Sequence, residues 1–133
     1  MSIFYDSIEL SLPMKAEYVS VARLTASAVA SRIGFDIDTI EDIKVSIAEV
    51  CNKLLKCGNG QKLSYLIQFK LYDDLLEIVF NCEDKSLKCS FDDQKDELGL
   101  FIINALMDNV QYCDTDGYLL SMSKYIEGNR ENG

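Results

Sequence analysis

The chain has 133 residues, 48% of them hydrophobic and 26% charged, which suits one domain with one core and excludes a disordered chain. Thirteen Lys and Arg stand against 22 Asp and Glu, a net charge of −9, which argues against nucleic-acid binding and favours a protein partner with a basic surface. There is no histidine, so a Ser–His or Cys–His nucleophile pair, a phosphohistidine relay and a His-ligated metal are excluded.

Any acid–base chemistry must therefore use carboxylate, Lys, Tyr or Cys. No apolar run is long enough to span a membrane. The N-terminus MSIFYDSIEL lacks the basic start and apolar core of a signal peptide, so a cytoplasmic location is expected. The five cysteines, Cys51, Cys57, Cys82, Cys89 and Cys113, are odd in number and form no C-x-x-C pair. They read as reduced thiols, some of them core filler, and not as a zinc site.

Residues 3–12, IFYDSIELSL, alternate and end at Pro13, the only proline, which predicts an edge strand followed by a turn. Residues 15–33 have helical spacing. Val19, Ala22, Ala26, Val29 and Ile33 make a stripe of mostly small residues that lets a neighbour approach closely. Arg23 lies off this stripe, as either a solvated arginine or a partner contact. Gly34 ends the helix, and Phe35 folds back over its last turn as in a Schellman motif.

The next helix, Asp38 to Lys56, is the one around which the chain is organised. Ile40, Ile43, Ile47, Val50, Cys51, Leu54 and Leu55 form its core stripe, and Asp42, Ser46, Glu49, Lys53 and Lys56 fall on the opposite side. Asp38 reads as the N-cap, with Glu41 three residues on as in a capping box, and Gly58 as the stop. Taken alone, the polar side reads as a solvated face carrying a Glu49–Lys53 pair worth roughly 0.2–0.5 kcal/mol.

After Gly58-Asn59-Gly60 the period becomes two. Leu63, Tyr65, Ile67, Phe69 and Leu71, then Leu76, Ile78 and Phe80 beyond an Asp73-Asp74 turn, predict a β-hairpin over 62–81. NCEDKSLKCSFDDQKDE reads as a long loop. Residues 97–109 predict a short apolar helix with Gly99 near its start. Residues 110–113 and 118–125 predict a last hairpin turned by Asp114-Thr115-Asp116-Gly117. A single domain over 1–127 and a disordered tail over 128–133 are expected. Hairpin-paired strands with helices gathered on one face make a two-layer α+β sandwich.

The stretch RLTASAVASRIGFDIDTIEDIKVSIAEVCN resembles the first two helices of the RsbW/SpoIIAB family of bacterial anti-sigma factors. LGLFIINALMDNV resembles the helix after that family's nucleotide lid, and SMSKYI its last strand, so the resemblance covers about residues 6–127. It implies the nucleotide-binding fold of histidine kinases and Hsp90-type ATPases, with about three helices on one face of a mainly antiparallel mixed sheet. It also implies binding of a sigma factor, binding of an anti-anti-sigma antagonist and phosphorylation of that antagonist on serine with ATP and magnesium. A homodimer is expected. The ATP site would face the polar side of the Asp38–Lys56 helix.

At the positions that match the family's motifs, this sequence departs from them. The family's glutamate corresponds to Glu49, but its magnesium-binding asparagine corresponds to Lys53, which has donors only and repels a cation. Asn52 is one residue early, about 100° around the helix, and is expected on the core side. The adenine-reading aspartate and the glycine after it correspond to Cys82 and Asp84; a shift by one offers Glu83. The glycine-rich run reads Asp96-Glu97-Leu98-Gly99-Leu100, with two carboxylates where triphosphate charge would sit.

These departures lead us to expect a regulator that holds a sigma factor or antagonist without phosphorylating it, with ATP and magnesium not retained. The alternatives are a working serine kinase that uses Asn52 for magnesium, and a non-catalytic subunit that pairs with an intact homologue. The resemblance points to the first helix, with Arg23, as the partner surface.

Overall fold

The alternating segments pair and the helical ones cover them. A computed structural model describes residues 4–57, 64–82, 97–112 and 119–126. Within these the elements are β1 (Phe4–Pro13), α1 (Val19–Ile33), α2 (Ile37–Cys57), β2 (Ser64–Tyr72), β3 (Leu75–Cys82), α3 (Glu97–Leu106), β4 (Asn109–Tyr112) and β5 (Leu120–Tyr125). The sheet order is β1-β2-β3-β5-β4. Every ladder among the described strands is antiparallel, in keeping with the mainly antiparallel sheet expected, and no parallel pair occurs among them because β5 returns beside β3 in the opposite sense. β1 lies at an edge, as its proline requires.

Strand alternation sets the core. Tyr65, Ile67, Phe69 and Leu71 of β2 are buried together with Leu76, Ile78, Phe80 and Cys82 of β3, and the register Ile67↔Phe80 and Phe69↔Ile78 puts them on one face. Against this face lie Ala22, Ala26, Val29 and Ala30 of α1, Ile43, Ile47, Val50, Cys51 and Leu54 of α2, and Ile103 of α3. The small side chains of α1 let it pack closely on α2, which also touches α3. Each large side chain so buried contributes about 1.5–3 kcal/mol.

The helix ends differ in detail from expectation. α1 begins at Val19 and not at Lys15, because Ala16–Tyr18 forms a 3-10 turn first. Gly34 takes φ 111°, and the N–H groups of Gly34 and Phe35 both donate to the Ala30 carbonyl at 3.2 Å, closing the Schellman-type end with Phe35 buried.

That tight end moves the next start forward. Asp36, not Asp38, caps α2: its carboxylate accepts the Thr39 N–H at 2.8 Å, and its carbonyl accepts the Ile40 N–H at 2.9 Å. The hydrogen bonds from Thr39 hold the Asp36 carboxyl below its usual range. Glu41 pairs with Lys44 at 3.1 Å and does not form a capping box.

α3 stops at Leu106, short of residue 109. There the Lys124 ammonium donates to the Leu106 carbonyl at 2.7 Å and pairs with Asp108 at 3.6 Å. The Gly58 stop, residues 83–96 of the long loop, the 114–117 turn and the 128–133 tail lie outside the described residues.

Candidate functional site: the polar flank of α2

Residues 42, 46, 49 and 53 step by four, three and four, so they share one flank of α2. This flank is not solvated. Ser46 is 0% and Lys53 4% exposed, and Asp42 and Glu49 are half-buried. The reason is angular: the flank borders the fully buried Ile43–Val50–Leu54 stripe, so what covers the stripe covers its margin. Cys51, on the other flank, meets Tyr65 of β2.

Lys53 and Asn52 exchange their expected places. Asn52 is exposed, and the lysine enters the interior. The step of about 100° carries Asn52 away from the core and not toward it. Lys53 is engaged by the fold in which it is buried. The Ser46 Oγ finds no hydrogen-bond partner among the described residues.

Cys82 ends β3 and is 6% exposed. Its thiol donates to the Ser64 carbonyl at 3.4 Å, and its N–H donates to the Asn81 Oδ1 at 2.9 Å. The sulfur is left as a weak acceptor. Cys82 stands opposite Tyr65 in the ladder, and Tyr65 reaches Cys51, so these three residues gather beneath the C-terminal half of α2. Burial pushes the Cys51 thiol up to about 11, against a smaller opposing effect of Tyr65. Burial, then the nearby Cys51, raises Tyr65 as well. For both groups burial favours the neutral form.

Gly99 is buried in the first turn of α3, Leu100 is half-buried against the core, and Leu98 is 70% exposed. Glu97 opens that helix. Asp84, with Glu83 and Asp96, lies outside the described residues. Arg23 is exposed on α1, beside Leu24 at 69% and Val21 at 38% exposure. The structure thus sets Glu49 and Lys53 on one flank of α2, Cys82 with Tyr65 and Cys51 by the other, and Arg23 on the exposed surface of α1. Sequence reasoning did not single out Ser46 or Tyr65 here. The four–three spacing that puts Ser46 beside Glu49 was the available signal for the first, and none existed for the second.

The sequence profile of the histidine kinase-like ATPase domain matches residues 12–124. A serine-protein kinase RsbW of Halalkalibacterium halodurans is 34% identical, over 92% of this chain and 85% of that protein. The RsbW of Bacillus cereus strain B4264 is 35% identical, over 92% of this chain and 87% of that protein. The chain belongs to the RsbW family. A crystal structure of the RsbU and RsbW domains of a Mycobacterium tuberculosis protein superposes with a TM-score of 0.67 at 14% identity, covering 92% of this chain and 33% of that one, which shows a shared fold. Within the RsbW family, then, this chain has a buried lysine on the polar flank of its second helix.

Proposed function

We propose that the protein is a regulatory binding module of the RsbW family that holds a sigma factor or its antagonist and does not phosphorylate it. The observation that carries this reading is Lys53, 4% exposed on the flank where the family resemblance calls for a magnesium ligand. An ammonium offers no lone pair and repels a divalent cation, so the residues present do not fit magnesium. The exposed Asn52 does not replace it, because it points to the other side of the helix. The Cys82 thiol, turned onto the Ser64 carbonyl, is a poor reader of an adenine amino group and supports the same reading.

Partner binding falls to the outer surface of α1 around Arg23, where a guanidinium sits beside exposed Leu24. Such a mixture of Arg and apolar surface is common at the centres of protein interfaces. By family resemblance the protein acts as a homodimer of single-domain subunits.

The test uses the full chain with the sigma factors and antagonist proteins of the same genome. Each pair is run on size-exclusion chromatography and then incubated with magnesium and γ-labelled ATP. A stable complex with one partner and no label on it is expected. Label on a partner serine, abolished by Glu49→Ala, would overturn the reading.

A further inference from the structure

The helix layer leaves open the corner of the sheet where β1 begins. Asp6 of β1 stands opposite Leu71 of β2, so the two share the side of the sheet that faces the helices. The register of β1 shifts between Phe4 and Asp6, an irregularity of the kind that re-aims side chains at a sheet edge. α1 ends at Ile33, and Gly34 turns the chain away. Ile8, next on the same side of β1, is 41% exposed for want of cover.

Between the end of α1 and this end of the β1–β2 ladder lies a cleft of about 300 Å³, lined by Asp6, Arg32, Ile33, Leu71, Tyr72 and Asp73. That volume is at the small end of ligand clefts. Leu71 is buried and Ile33 half-buried, which gives an apolar floor, and Asp6, Arg32 and Asp73 are exposed around it. Among the described residues no ion pair joins the Arg32 guanidinium to either carboxylate. One positive and two negative groups therefore converge on one cleft without cancelling one another. Leu71 is six residues along β2 from Tyr65, roughly 20 Å at the rise of a strand, so the cleft is separate from the Cys51–Tyr65–Cys82 group.

We infer that this cleft is a binding site for a free basic α-amino acid. Two cationic groups, one carboxylate and an aliphatic stem answer two carboxylates, one guanidinium and an apolar floor. Arg32 holds the α-carboxylate through two parallel N–H groups. Asp6 and Asp73 take the two cations, and the methylenes lie on Ile33 and Leu71. The inference goes beyond the regulatory reading and does not depend on it.

The experiment is titration of the isotope-labelled full chain, followed by amide chemical shifts. The probes are L-arginine, agmatine (arginine without its carboxylate), L-norleucine (no side-chain cation) and Nα-acetyl-arginine (no free ammonium). Saturable shifts at residues 6, 32, 33 and 71–73 are expected with arginine, and several-fold weaker binding with each of the other three. Arg32→Gln should bring arginine down to the level of agmatine and should not weaken agmatine itself. Asp6→Asn and Asp73→Asn should weaken both. All three side chains are exposed, so the variants are expected to melt with the wild type.

No saturable shift at millimolar arginine overturns the inference, and so do shifts that saturate elsewhere on the chain. Agmatine or norleucine binding as tightly as arginine overturns it too. Acetyl-arginine binding as tightly as arginine overturns it as well, and would assign the cleft to the C-terminal arginine of a protein.

Discussion

The Tyr65 hydroxyl of β2 faces the Cys51 thiol of α2, and the two residues are 2% and 0% exposed. The hydroxyl makes no hydrogen bond of good geometry among the described residues. A buried polar group without a partner carries its desolvation cost uncompensated. Tyr65→Phe removes that group and keeps the ring, so stability is expected to stay level or rise by up to about 1 kcal/mol. Urea unfolding of the two proteins measures it, and a loss above about 1 kcal/mol would show that the hydroxyl is satisfied after all.

Alkaline pH tests the same contact from the other side. Burial raises the Cys51 thiol from 9.0 to about 11, so the fold favours the neutral form. The associated stability is fully present below the unfolded value of 9.0 and is lost as pH rises through the folded value of about 11. Tyr65 is raised in the same sense. The urea midpoint should hold between about pH 7 and pH 9 and then fall, and Cys51→Val should flatten part of that fall. Thiol alkylation near neutral pH should leave Cys51 unmodified until the protein unfolds.

The link between α1 and α2 makes two predictions of different size. Gly34 holds φ 111° with open space where a Cβ would sit, so Gly34→Ala meets backbone strain alone. It should cost about 1–2 kcal/mol in denaturant unfolding. Asp36→Ala removes the cap on Thr39 and should lower the midpoint clearly, while Asp38→Ala should move it little. Equal effects of the two aspartate changes would place the cap elsewhere.

Arg23 is exposed, so Arg23→Ala should leave the Tm unchanged. In the proposed complex it should weaken partner binding by about tenfold or more, measured by titration calorimetry once the partner is captured. Full binding by Arg23→Ala would move the partner surface off this part of α1.

Most elements were legible because each carried one strong period: the twofold alternation of Tyr65–Leu71 and Leu76–Phe80, and the helical stripes of α1 and α2. The resemblance to the RsbW family was legible from the α1–α2 stretch. Three features were not. Asp36 and Asp38 are equally good caps by chemistry, and the choice fell to the Phe35 N–H reaching back to Ala30. The inward Lys53 and outward Asn52 depended on how far cover extends around α2, which spacing does not report. The insertion of β5 between β3 and β4 joins segments distant in sequence, and no local pattern encodes it.

That insertion has a consequence for how the molecule is made. β5 is the last of the described strands in chain order, yet it holds an inner place and pairs with β3 on one side and β4 on the other. The hairpin β2–β3 can form during synthesis, but β3 keeps one row of its backbone groups open and β4 has nothing to join until residues 120–125 emerge. Nascent chains halted before that point should present a raw sheet edge to chaperones and to one another, and closure of the sheet should act as the checkpoint that separates a nascent chain from a finished one.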